Sequence, residues 1–340
     1  EDPCHRSLVA FHSSHLPLDP DPEWNGDPTE NYELPGSSVL ANNIHPTRVW
    51  LPNMTEERET TAATTLDPDV DLDVWGTVKL SLRGEELDYT TGPLGRAILL
   101  LSIPMVLEMA MESVFALTDA FFVSRLGTDA VATVGLTEAM VTILFAVAHG
   151  LGIGTTAIIA RRIGEKDKPG ARTAAAQAIL LGLVVSAAFA IPGVVFARDL
   201  LGAMGGSPEL VASGHGFTRV IFGGCGTIVL LFLLNAVFRG AGDAAIAMRV
   251  LWIANAVNIV LDPCLIFGLG PFPEMGITGA AVATTVGRGI GVAVQLYVLF
   301  FGGSRIRIAI RHLAPRVRVM IRLFRLSVGG MLQTVISHSS

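Results

Sequence analysis

Cysteine is scarce in this chain. Cys4, Cys225 and Cys264 are the only three in 340 residues, too few and too scattered for a disulfide framework and without the spacing of a metal site. Charge is scarce as well: 16% of residues are charged and the mean hydropathy is +0.54, a composition that excludes an ordinary soluble domain and points to a membrane protein. There is no HExxH, no GxSxG and no phosphate-binding loop, so an intramembrane protease, a lipase-like enzyme and an ATP-driven pump all lack their motifs. The glycines of HGLGIGTT, His149 to Thr156, lack the full phosphate fingerprint and follow no strand, which leaves close helix packing as their use. Neither an enzyme nor a nucleic-acid binder is expected, and no cofactor.

The scarcity is uneven. Residues 1–92 hold 18 of the 30 acids, 5 of the 24 bases and 9 of the 18 prolines. Such a segment cannot bury enough apolar surface to offset its chain entropy, so residues 1–78 are read as an acidic, Pro-rich disordered segment. Residues 79–96 read as an interfacial lead-in.

What is abundant is long apolar runs. Ala97 to Ser124 contains no Lys or Arg and exceeds the roughly 20 residues needed to cross a bilayer. Five more follow, about Ala130 to Ala160, Thr173 to Ala197, Leu210 to Phe238, Ala244 to Gly268 and Ile277 to Phe301. The fold class is therefore all-α: a polytopic membrane bundle with a six-helix lobe over 97–303. A basic loop and the start of a seventh helix occupy 304–340.

Arg161, Arg162, Lys166, Lys168 and Arg172 crowd the second connection, and Arg305, Arg307, Arg311, Arg316, Arg318, Arg322 and Arg325 follow the sixth span. Because such residues are retained on the cytoplasmic side, the amino terminus and the even-numbered connections are expected inside a cell (inner or plasma) membrane.

The first span carries three carboxylates. At about 100° per residue, Glu112 lies roughly 40° and Asp119 roughly 20° from Glu108, so the acids share one face. A carboxylate at mid-membrane costs about 2.5–3.5 kcal/mol on insertion scales, so the stripe needs a partner, a cation or water. Glu108 and Glu112 are read either as pathway groups or as hydrogen-bonding links to neighbouring helices, and Glu138 in the second span as a further pathway group. In the fifth span, Asn255, Asn258 and Asp262 fall within about 60° of one another, beside a proline, Pro263, that frees the carbonyl of Ile259. These are hard oxygen ligands for Na⁺, or a protonatable carboxylate with polar support. His149 and His215 read as hydrogen-bonding groups, and Arg219 and Arg288 as bases that snorkel or counter the acids.

LSIPMVLE at Leu101 to Glu108 recurs as LSVGGMLQ at Leu326 to Gln333, 225 residues later. After six spans a second copy has the same orientation, which suggests two parallel repeats.

The ending LTDAFFVSRLG of span one, the RGAGD turn after span four, NIVLDP in span five and MGITGAAVAT entering span six together resemble the amino-terminal lobe of the multidrug and toxic compound extrusion (MATE) family, in its DinF-like branch. The resemblance implies a twelve-span, two-lobe antiporter that exports amphipathic or cationic small molecules against H⁺ or Na⁺. It places the family's cation site on Asp119, Asn258, Asp262 and Thr284, with Thr285 the neighbouring alternative to Thr284, and Na⁺ would also bind there. Two close carboxylates can hold one proton or, both ionised, one Na⁺. The rivals are a flippase for a lipid-linked precursor, whose cavity would be basic, and a non-transporting membrane assembly subunit. The chain opens at Glu1 without Met or a signal-peptide pattern. A second lobe would need roughly 200 residues after Ser340. On this reading the chain is a fragment that binds a cation in the bilayer without exporting drugs by itself, unless two copies pair as a homodimer and restore export.

Overall fold

Inside a bilayer no water satisfies the peptide groups, so each apolar run closes its own hydrogen bonds as a helix. The computed structural model describes residues 64–65, 74–83, 87–88, 94–302 and 305–339. Cys4 and most of the segment read as disordered lie outside them.

The described helices are α1 (Val74–Arg83), α2 (Leu94–Ser124), α3 (Thr128–Gly164), α4 (Lys168–Val195), α5 (Ala197–Ala203), α6 (Pro208–Gly223), α7 (Cys225–Ala241), α8 (Ala244–Phe267), α9 (Ile277–Phe301) and α10 (Val317–Ser339). A short 3₁₀ turn, Ile310–Leu313, precedes α10. Beside them, Thr64–Thr65 and Leu87–Asp88 form a two-residue parallel pairing. Six segments are long and apolar enough to cross a membrane: Ala97–Ser124, Thr128–Gly164, Lys168–Val195, Pro208–Ala241, Ala244–Phe267 and Ile277–Phe301. The protein is a multi-pass helical membrane protein.

Three boundaries differ from the sequence expectation. The fourth span is two helices, α6 and α7, that meet at Gly224. The second runs on through Arg161 and Arg162 to Gly164, because backbone pairing does not stop where apolarity does. The third starts at Lys168, where Asp167 caps it by accepting from the Gly170 amide at 2.8 Å, with Pro169 in the first turn. The lead-in also contains a helix: α1 begins at Val74, inside the segment read as disordered, and Ser81 Oγ donates to Leu100 O at 2.6 Å in a buried contact with α2.

One core joins Ile159, Ile179, Leu234, Phe238 and Leu299; a second joins Leu144, Leu151, Phe222 and Leu233. Large apolar side chains such as Met109 and Leu117 face outward, as suits a bundle whose solvent is lipid. The expected close packing of the HGLGIGTT glycines is seen at Gly154, where an added Cβ would lie 2.4 Å from Ser327 Oγ of α10.

The basic stretch after α9 is not a free loop. Buried Gln177 of α4 accepts from Arg316 N at 2.7 Å and donates to Ala314 O at 2.9 Å and His312 O at 3.3 Å. Arg305 binds Asp243 through its backbone amide at 3.1 Å and its guanidinium at 3.6 Å. Gly242, at φ 86°, makes the left-handed turn that presents this aspartate.

Candidate functional site

α8 and α9 lie backbone to backbone because glycine leaves room. A Cβ on Gly279 would fall 2.4 Å from Leu265 O, and one on Gly287 would fall 2.8 Å from Ala254 O and 3.0 Å from Asn258 Cβ. That approach brings Asn258 within hydrogen-bonding reach of α9: its amide donates to Thr284 Oγ1 at 3.2 Å and sits 3.5 Å from Asp262 Oδ1. Asp262 is 0% exposed and Asn258 2%.

Asp119 of α2 joins them. Its charge acts on Asp262, while Arg288 and Glu138 act on Asp119. Three acceptor oxygens here, Asp119 Oδ1, Asn258 Oδ1 and Asp262 Oδ2, are buried without a hydrogen-bond partner. Unpaired buried acceptors cost about 1–3 kcal/mol each, more when charged, so the arrangement is built for a proton or a small cation. Na⁺ fits its chemistry, since carboxylate, amide and hydroxyl oxygens are hard ligands. Among the described residues no group of three or more His, Cys, Asp and Glu side chains gathers as a metal site.

Two further layers continue the polar stripe of α2. Asn255 donates to Glu112 Oε2 at 3.3 Å, and Arg288 Nη2 lies 3.8 Å from Glu112 Oε1. One turn earlier, Asn235 of α7 donates to Glu108 Oε1 at 3.0 Å, Arg239 Nη1 lies 3.7 Å from the same oxygen, and Gln295 of α9 bonds Asn235. Glu108 Oε2 and Gln295 Oε1 are left unpaired. Glu138 is exposed on α3, and so is Arg219. Trp252 Nε1 ties α8 to α2 by donating to Leu107 O at 3.3 Å.

Sequence reasoning brought together Asp119, Asn258, Asp262 and Thr284 but missed Asn235, Arg239 and Gln295. Their signal was available. Asn235 and Arg239 are one turn apart, and Thr284, Arg288 and Gln295 fall within about 40° on α9, the same kind of stripe that singled out α2.

A cavity of about 550 Å³ opens between α2, α3 and α7, lined mostly by apolar groups such as Met105, Ile153 and Phe232, with His149, Thr156 and Arg239 as its polar features. The His149 and Phe232 rings lie 4.5 Å apart, and His149 Nδ1 is 3.1 Å from Phe145 O.

The site is thus a helical lobe with a carboxylate buried between its spans and an apolar cavity lined by α2, α3 and α7. Comparison with known proteins gives its relatives. The MatE family model matches residues 104–264. An FAD transporter of Shewanella oneidensis is 32% identical over 209 residues, covering 62% of this chain and 46% of that protein. A probable multidrug resistance protein NorM of Thermotoga maritima is 29% identical, covering 60% and 44%. Among solved structures, a MOP superfamily transporter from Pyrococcus furiosus matches with a TM-score of 0.65 at 33% identity, over 71% of this chain and 52% of that one. An outward-facing multidrug resistance MATE family transporter matches with 0.66 at 32%, over 76% and 55%. Residues 104–264 are thus similar to the MATE family, and the chain spans about half the length of the curated relatives it matches. These matches do not single out the DinF-like branch.

Proposed function

We propose that this chain is the cation-coupling lobe of an exporter of amphipathic or cationic small molecules, driven by antiport with H⁺ or Na⁺. The observation that carries the reading is the set of three buried, unpartnered oxygens on Asp119, Asn258 and Asp262. A site that leaves charged acceptors unpaired in a low-dielectric bundle draws in whatever positive charge can reach it. Thr284 and Asn258 supply neutral oxygens; Asp119 and Asp262 supply the charge that a bound cation neutralises. Filling the site ties α2 to α8 and α9, and emptying it releases the tie, which alters the shape of the lobe. The amino terminus and the basic connections face the cytoplasm of a cell membrane on this reading, and a second lobe supplies the opposite wall of the substrate path.

Binding is a property that one lobe displays alone. The purified chain in liposomes should take up Na⁺ or protons in a manner that Asp119→Asn and Asp262→Asn each abolish and Glu138→Gln reduces less. Uptake equal to wild type in both aspartate variants overturns the assignment.

An anionic substrate is the second reading, favoured by Arg239 in the cavity wall and by the name of the Shewanella relative. A flavin dinucleotide that competes with a cationic dye for the chain, and that Arg239→Gln ceases to bind, supports it.

A further inference from the structure

Arg288 holds no part of the coupling cation, yet it stands beside the acids of α2. Its side chain is only 15% exposed. Glu112 and Asp119 act on it from α2 and Glu138 from α3. Its guanidinium lies 5.7 Å from the ring centre of Phe115 and 5.9 Å from that of Phe145. Among the described residues no hydrogen bond fixes it; its one ion pair, to Glu112, is long at 3.8 Å. A permanent cation that is buried, loosely held and seated on aromatic faces is free to move between acceptors.

The sequence of α2 defines that movement. Glu112, Phe115 and Asp119 fall within about 60° of one another, with Phe115 between the two acids, and the acids are about 10 Å apart along the axis. A guanidinium resting on Phe115 lies between a carboxylate that is already engaged, Glu112, and one with a bare buried oxygen, Asp119 Oδ1.

We propose that Arg288 is a tethered competitor for the coupling cation, a specificity-determining residue that occupies Asp119 when the site is empty and withdraws to Glu112 when a cation arrives. The inference rests on the cation site at Asp119 and Asp262 and deepens it. An empty pair of buried carboxylates would repel one another; the tethered arginine neutralises part of that charge, and only a cation that outcompetes it enters. Glu112 is the withdrawal position, and its work depends on Arg288 being present.

Proton occupancy of Asp119 serves as the probe. Carbodiimide modifies only protonated carboxyl groups in apolar surroundings, and peptide mass spectrometry identifies the modified residue. In the full chain in liposomes at fixed pH, Arg288→Gln should speed Asp119 modification about tenfold, the effect of removing a charge worth about 1.4 kcal/mol to the ionised carboxylate. Arg288→Lys, which keeps the charge, should stay near wild type. Glu112→Gln should slow modification, and that slowing should largely vanish when combined with Arg288→Gln. An Arg288→Gln rate at or below wild type, or a Glu112→Gln effect of equal size with and without Arg288, overturns the competitor. Failure of the underlying site looks different: Asp119 then resists modification at every pH, or its rate is unchanged by Asp262→Asn.

Discussion

At the scale of single residues, this chain handles its few polar groups in two ways. Gln177 has its amide engaged at both ends, while Asp119, Asn258 and Asp262 each keep a bare acceptor. The first pattern stabilises and the second invites a ligand. His312, outside the spans, belongs to the first. Its Nδ1 accepts from the Ala309 amide at 3.0 Å. Burial, and then Arg311, Arg172 and Arg316, hold its ring below the usual histidine range. A histidine depressed in the folded state binds more protons when unfolded, so its contribution is present at pH 7 and fades as pH falls through the ordinary imidazole value of about 6.5. The protection of amides across 305–316 against hydrogen exchange, taken relative to the intrinsic rate at each pH, should therefore fall between pH 7 and pH 5 in the wild type. His312→Asn should flatten that dependence; an unchanged profile would remove His312 from the account.

At the scale of elements, glycine decides how near two helices come, and nearness decides which polar groups meet. Gly287→Ala should force α9 away from α8, since the new Cβ would press on a backbone carbonyl that cannot yield. The expected loss is about 1–3 kcal/mol of stability, with weaker cation binding as Asn258 and Thr284 separate. Chemical denaturation in detergent, followed by the fluorescence of Trp252, measures the first; retained stability together with retained binding would show the crossing to be loosely packed. Elements were also where the sequence was easiest to read. Apolar length located all six spans, and helical phase put Glu108, Glu112 and Asp119 on one face and Asn255, Asn258 and Asp262 on another, all from local spacing. Arg288 could be noticed but not assigned and Arg239 was missed, because which acid a base meets depends on how helices far apart in sequence cross. The helix at Val74 was missed because the acidic composition around it outweighed its short apolar face, and the break at Gly224 because a glycine within an apolar run is as often only a packing contact.

At the scale of the whole molecule, the charge at the two ends of the bundle gives a test of orientation. Single cysteines at Gly127 and Gly270, in the poorly charged turns, should react with an impermeant thiol reagent added outside intact cells. One at Gly170, within the basic connection, should be silent until the cells are opened. Reaction at Gly170 in intact cells would invert the proposed topology.

The contacts of Gln177 also set an order of events during biosynthesis. Its partners at His312 and Ala314 lie 135 and 137 residues further along the chain. At about 5–20 residues per second, the ribosome delivers them on the order of ten seconds after α4 has been made. Until then a buried amide in α4 lacks the partners it has in the finished lobe, so α4 completes its packing only when the stretch following α9 has emerged to receive it.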